Sequence, residues 1–425
     1  MNLLKVSFIS AVETAVKLIT ALIVIKMLAI YSGPEGVARF GQFQNVLSIL
    51  IILVSGSSVT GLVKYVSEID SKPDAGALIV SDYFQGAFTF GVIASVLLSV
   101  LLVFNAEQMS YYVFDSKKYE GLFLYLSFGL IFIVFYQIAI AYLNGLRLIK
   151  EMIAIKLVAS VFLLLCGTVL VYFFGLYGSL FALVGMQIVG GGYALWLMNR
   201  LSLFSWGWFK LNFIKKVQVD LSYYWLMGLV TLISTPVVLF FVRAHIATTA
   251  SWATAGMWEA MWKISELSLM MVTTALTVYY VPMLSKSITK VEQLTVIGKV
   301  MLLALASASA ISLFIYLFRD FFITLLFSSE FLEVSNILRF QLLGGIFRVA
   351  GWVIAFHMIV KAKPIFFITV ELSFGLLFFM LSILFFDLHS LEGLTYAFLI
   401  NNVLYCLFAL IYLVMFYKVG KVINV

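Results

Sequence analysis

Long apolar runs alternate with short polar connections along the whole of this 425-residue chain. A helix crosses the hydrocarbon of a bilayer with about 20 apolar residues, and on that measure the pattern predicts twelve crossings. They fall at residues 7–31, 44–63, 83–104, 122–144, 153–174, 178–198, 221–242, 257–280, 295–318, 335–359, 365–386 and 394–417. The expected fold class is an all-α polytopic membrane protein. The longest connection divides the spans six and six, which predicts an N-terminal lobe over 1–199, a linker over 200–220 and a C-terminal lobe over 221–425.

Composition excludes a soluble class: 64% of the residues are hydrophobic, 11% are charged and the mean hydropathy is +1.11, where soluble domains are roughly half apolar. The first apolar region is too long and too charged for a cleaved signal, and is expected to remain as the first helix. Lys and Arg outnumber Asp and Glu by 27 to 20, yet no basic run escapes the membrane-facing pattern, which argues against nucleic acid as a partner. One set of connections, with both termini, holds most of the basic loop residues, among them Lys64, Lys72, Lys150, Lys215, Lys216, Lys286, Lys361, Lys363 and Lys421. The opposite set holds only Arg39, Lys117, Lys118, Arg243, Arg319 and Arg339. The positive-inside bias therefore places both termini in the cytoplasm. In the linker, Trp206 and Trp208 beside Lys210, Lys215 and Lys216 suit a segment lying on the inner membrane surface. Cys166 and Cys406 sit far apart in apolar runs, with neither disulfide nor metal spacing, and read as small hydrophobes.

The halves also align on each other, the sequence sign of a transporter built from repeated units. Val113-Phe114-Asp115-Ser116 onward matches Leu326-Phe327-Ser328-Ser329 onward without gaps as far as Lys150 and Lys363, placing Phe114 over Phe327, Glu120 over Glu333 and Asn144 over His357.

A charge in mid-bilayer costs several kcal/mol, about 2.5 to 3.5 on insertion scales, so ionisable groups there turn towards a wet or protein-lined interior. The first span carries Glu13, Lys17 and Lys26 before it breaks at Gly33-Pro34-Glu35-Gly36. Glu13 and Lys17 are one turn apart, and either neutralise each other or leave a cationic site for an anionic headgroup; Lys26, nine residues on, points elsewhere and can snorkel. The eighth span repeats the mixture with Trp258, Glu259, Trp262, Lys263 and Glu266, where each lysine–glutamate spacing is again one turn. Trp258 and Trp262 are either packing residues or platforms for sugar rings. Arg348 and Glu371 either pair with one another or leave Glu371 to titrate with a coupling proton or sodium ion. His357 and His389, near the ends of their helices, are expected to meet interfacial water, and no histidine lies at a metal-ligand spacing.

No phosphate-binding loop, nucleophile elbow or zinc-protease motif is present, and neither a metal nor a cofactor is expected. A membrane glycosyltransferase or polymerase needs a large outer loop, which the short connections do not supply. The chain reads as a conduit rather than an enzyme.

Gly33-Pro34-Glu35-Gly36, Phe40, Phe43 and the run Gly61-Leu62-Val63-Lys64-Tyr65-Val66-Ser67-Glu68 resemble the first two helices of Wzx-type flippases, the O-antigen and enterobacterial-common-antigen translocases. Ala141-Tyr142-Leu143-Asn144-Gly145-Leu146 resembles a second pattern of their superfamily, the multidrug/oligosaccharidyl-lipid/polysaccharide (MOP) exporters. The resemblance implies two six-helix lobes forming a V-shaped central cavity. It also implies transport of an undecaprenyl-diphosphate-linked oligosaccharide from the inner to the outer leaflet of the bacterial inner membrane by alternating access, driven by an ion gradient or the membrane potential. On that reading Lys17 and Lys26, with Lys263 as a weaker transfer, hold the diphosphate; Trp258 and Trp262 are candidate sugar contacts; Glu13, Glu259, Glu266, Glu371 and Arg348 balance charge or bind a coupling H+ or Na+; and Gly33, Pro34 and Gly36 form a hinge. The expected partners are the lipid-linked oligosaccharide, membrane lipids and, from the family alone, an O-antigen polymerase and a chain-length regulator. A drug or cation antiporter of the same superfamily is the alternative, and the basic balance of the first span speaks against it.

Overall fold

Helix is the only regular structure among the described residues, and the order of its elements repeats. The computed structural model describes residues 3–55, 58–71, 80–280, 283–284, 287, 289–360 and 364–419; Lys72, Lys286, Lys361, Lys363 and Lys421 lie outside them. The helices are α1 (Leu3–Ser55), α2 (Ser58–Ser71), α3 (Val80–Phe104), α4 (Ala106–Phe114), α5 (Glu120–Gly145), α6 (Ile149–Arg200), α7 (Lys215–Thr249), α8 (Trp252–Ala275), α9 (Lys290–Leu317), α10 (Arg319–Leu326), α11 (Leu338–Val360) and α12 (Pro364–Val419). Shifting Val113 onto Leu326 also carries the end of α3, Phe104, onto the end of α9, Leu317, and the start of α4, Ala106, onto the start of α10, Arg319. In both copies a 3-10 segment follows the short helix, one turn at Lys117–Tyr119 and two at Ser329–Val334.

Three long helices are broken at one residue outside helical geometry: α1 at Gly33 (φ 60°, ψ −166°), α6 at Gly175 (φ 55°, ψ −134°) and α12 at Ser390 (φ 53°, ψ −138°). Three residues past its break each of the last two helices has a glycine packed against an earlier carbonyl. A Cβ on Gly178 would lie 2.1 Å from Leu170 O, and one on Gly393 would lie 1.8 Å from Phe385 O. Among the described residues seven stretches are long and apolar enough to cross a membrane, and the three broken helices supply the longest of them.

Two boundaries differ from the sequence expectation. The predicted span 44–63 is the end of α1, which stops at Ser55, followed by a separate α2. The predicted span 221–242 ends too early, because α7 continues through Arg243 and His245 to Thr249. No Gly or Pro interrupts it there, and the stop comes at Ser251, whose hydroxyl caps α8 by accepting from the Thr254 N–H at 3.0 Å.

The chain packs as two compact units, Met1–Val237 and Val238–Val425. In the first, α5 is apolar on nearly every side, the signature of a helix enclosed by others, and Leu122, Phe123, Leu126, Leu130, Ile133 and Val134 are fully buried. The linker packs on this unit: Trp208 and Phe209 lie against Phe84, Phe135 and Tyr142, while Trp206 remains exposed. Lys64 of α2 donates to the Tyr224 hydroxyl at 3.0 Å and lies over the Tyr65 and Tyr224 rings; that hydrogen bond holds its ammonium above the ordinary lysine range. In the second unit α11 is central, packing on α8, α9 and α12, with Leu269, Val272, Tyr280, Ile297, Val349 and Val353 in one apolar cluster.

Candidate functional site

The densest set of ionisable groups in the second unit is built on α8. Glu259, Lys263 and Glu266 share one face by their spacing, and exposure rises along them: side-chain values are 3% for Glu259, 27% for Lys263 and 48% for Glu266. Lys263 Nζ lies 3.7 Å from Glu259 Oε1 and 3.3 Å from Glu266 Oε2. The inner end is closed by a residue that the sequence placed in a loop, Arg243 of α7, which pairs with Glu259 through Nη2 and Oε2 and is 1% exposed. Charges alternate from Arg243 to Glu266 and sum to zero. An ion pair sealed this deeply is weak evidence of stability, because desolvation consumes most of the attraction. Lys263, half-buried between Glu259 and the exposed Glu266, is the part that can exchange a carboxylate partner for another anion.

Both tryptophans are covered. Trp258 is 1% exposed with the Arg243 guanidinium 5.5 Å from its ring centroid. Trp262 is 5% exposed, packed against Phe378 and Phe398, with Arg348 5.8 Å from its centroid. Neither ring face is open to a sugar in this structure. Arg348 lies among rings, 4.7 Å from Trp352 and 5.9 Å from Phe398, and it does not form the ion pair with Glu371 that the sequence offered. Glu371 instead accepts from the Tyr405 hydroxyl at 2.8 Å. An aromatic set surrounds the guanidinium because cation–π contact replaces part of its lost hydration.

In the first unit, Thr20, Val24, Leu28 and Ala29 form the buried face of α1, which packs on α6, and the Thr20 hydroxyl donates to Ser160 O at 3.5 Å. Glu13 and Lys17 form no ion pair with each other, and Lys17 is exposed. Glu13 lies within electrostatic reach of Tyr136 of α5. Lys26 is partly buried and engaged by a neighbour. Nine residues are two and a half turns of helix, so Lys17 and Lys26 occupy opposite sides of α1. Gly33 and Pro34 stand at the break of that helix, and Gly36 follows it within one turn, its backbone pressed against Ser32.

His357 is not at an interface: it is fully buried, ringed by Tyr412, Phe416 and Tyr417. His389 lies between Phe385 and Tyr396. Among the described residues no group of three or more metal-ligating side chains converges. Arg243 was legible in part, since nothing in His245-Ile246-Ala247 stops a helix. Tyr405 had no signal, being one aromatic among many in an apolar run.

No protein-family model matches the chain. Among solved structures it superposes on an inward-facing multidrug resistance MATE family transporter of the MOP superfamily with a TM-score of 0.79, over 96% of each chain at 14% identity. The chain shares the fold of that transporter. A MOP superfamily transporter from Pyrococcus furiosus, described as having a binding pocket of reverse polarity, also matches, with a TM-score of 0.70 at 15% identity over 98% of this chain and 96% of that one. Among curated proteins, the lipid III flippases of Escherichia coli (strain K12) and Shigella flexneri are each 26% identical over 411 residues, covering 95% of this chain and 96% of theirs. These relatives are flippases and transporters rather than enzymes, and on them the chain is a non-enzymatic, multi-pass membrane protein. They are named for lipid III and not for O-antigen.

Proposed function

We propose that the protein flips an undecaprenyl-diphosphate-linked oligosaccharide, an O-antigen-type repeat unit, from the inner to the outer leaflet of the bacterial inner membrane. The observation that carries this reading is the similarity to lipid III flippases, which extends over 95% of this chain and 96% of theirs. The transport cycle is alternating access across twelve crossings, with both termini in the cytoplasm. One charge moving through 100 mV gains about 2.3 kcal/mol, so a membrane potential or an H+ or Na+ gradient supplies the drive. Lys17 is the principal point charge for the diphosphate, and its support is its exposure without an ion pair to Glu13. Lys26, on the opposite face of α1, meets the substrate at a different stage or by rotation of that helix. Lys263 receives the anion in exchange for Glu266, while Glu13, Glu259 and Glu371 balance charge. Gly33, Pro34 and Gly36 give α1 its point of bending.

Complementation of a flippase-null bacterial strain tests this, scored by labelled surface polysaccharide and by lipid-linked repeat units held on the inner leaflet. Wild type is expected to rescue, and well-expressed Lys17→Ala to fail. Rescue by Lys17→Ala removes the site and keeps the flippase. Failure of wild type in several glycan backgrounds, together with drug efflux by the same cells, replaces it with the antiporter reading.

A further inference from the structure

A groove of about 760 Å3 opens in the first unit between α1, α3 and α4. Its wall is apolar, made by Leu50 of α1 with Leu98, Leu101 and Leu102 of α3, and its rim is polar, with Glu107 of α4 and Lys117 of the following 3-10 turn. The change in character falls between two candidate spans, one ending at Phe104 and the next beginning at Lys117. Exposed Phe104, Tyr111 and Tyr112 surround that level, as aromatic side chains do where lipid meets water. The rim is fixed from beneath. Phe114 is fully buried and packs on Phe43, Phe123 and Tyr119. The buried Ser110 hydroxyl accepts from the Tyr119 N–H at 3.0 Å, locking the 3-10 turn onto α4. Lys117 is thereby held against Glu107, and the two are ion-paired.

We infer that this groove is a binding site for one zwitterionic aminophospholipid, with an acyl chain against the leucine wall and the headgroup across the Lys117–Glu107 pair. The charge pattern selects the occupant. A phosphate alone takes Lys117 and leaves Glu107 facing an anion, whereas a phosphate joined to a primary ammonium satisfies both groups at once. A polyprenyl phosphate brings no cation, so the groove disfavours the proposed transport substrate.

Native mass spectrometry of the full chain, titrated separately with phosphatidylethanolamine, phosphatidylcholine and phosphatidylglycerol of matched chains, tests the site. A single phosphatidylethanolamine adduct is expected at a lipid concentration about tenfold below that needed for phosphatidylglycerol. Leu101→Trp, which fills the groove, is expected to lose it. Glu107→Gln is expected to bring phosphatidylethanolamine level with phosphatidylcholine; Glu107 is exposed, so this variant decides the headgroup even where Leu101→Trp unfolds the protein. Equal binding of the three lipids by wild type overturns the site. So does an unchanged preference in Glu107→Gln, and so does displacement of the adduct by undecaprenyl phosphate.

Discussion

At the scale of single residues, the Arg243–Glu259 pair has the largest expected effect. Removing Glu259 leaves Arg243 charged, buried and without its carboxylate, a loss of about 3 kcal/mol or more, and removing Arg243 leaves Glu259 with only Lys263 at 3.7 Å. Arg243→Met and Glu259→Leu are each expected to lower the thermal unfolding midpoint in detergent and to reduce the amount of protein in the membrane. The double variant is expected to recover most of the loss, because two apolar side chains need neither water nor each other's charge; a double variant as unstable as the sum of the singles rejects a simple pair. The candidate site was only partly legible in the sequence. Spacing gave the contacts of Lys263 with Glu259 and Glu266, since one helical turn is a local property. The partner of Arg243 and the Trp262 and Phe398 rings beside Arg348 come from other helices, Tyr405 reaches Glu371 from beyond the break at Ser390, and no periodicity along one segment contains that information.

At the scale of elements, the breaks differ in how well their residue suits them. Gly33, at φ 60° and ψ −166°, occupies a region open to little but glycine, so Gly33→Ala is expected to destabilise by about 1 to 3 kcal/mol. Ser390 holds a similar backbone, φ 53° and ψ −138°, with a side chain that gains nothing from it. Ser390→Gly is expected to raise the unfolding midpoint, by about 1 kcal/mol in stability. Calorimetry or a fluorescence melt of the two variants checks both signs. The sequence announced the first break through adjacent Gly and Pro. It placed the third between the predicted spans 365–386 and 394–417 without marking the turning residue, because neither Gly nor Pro stands at Ser390 and the neighbouring Gly393 serves close packing instead.

At the scale of the molecule, an all-helical membrane fold was readable because lipid imposes a length on every apolar run, and the register of the repeat followed from aligning one half on the other. What could not be read was where α7 ends, since a helix that carries charge looks like a loop to a hydropathy count. The proposed orientation predicts that green fluorescent protein fused to Val425 fluoresces, and a dark fusion reverses it. Among the described residues α8, which carries Glu259, Lys263 and Glu266, contains no stretch apolar enough to cross a membrane by itself, and α7 and α8 each hold one member of the buried Arg243–Glu259 pair. Their insertion during synthesis is therefore expected to be a joint event. A reporter carrying α8 alone should slip through the translocon into the aqueous space beyond, while α7 and α8 together, with only Ala250 and Ser251 between them, should partition into lipid as a hairpin whose buried charges are matched.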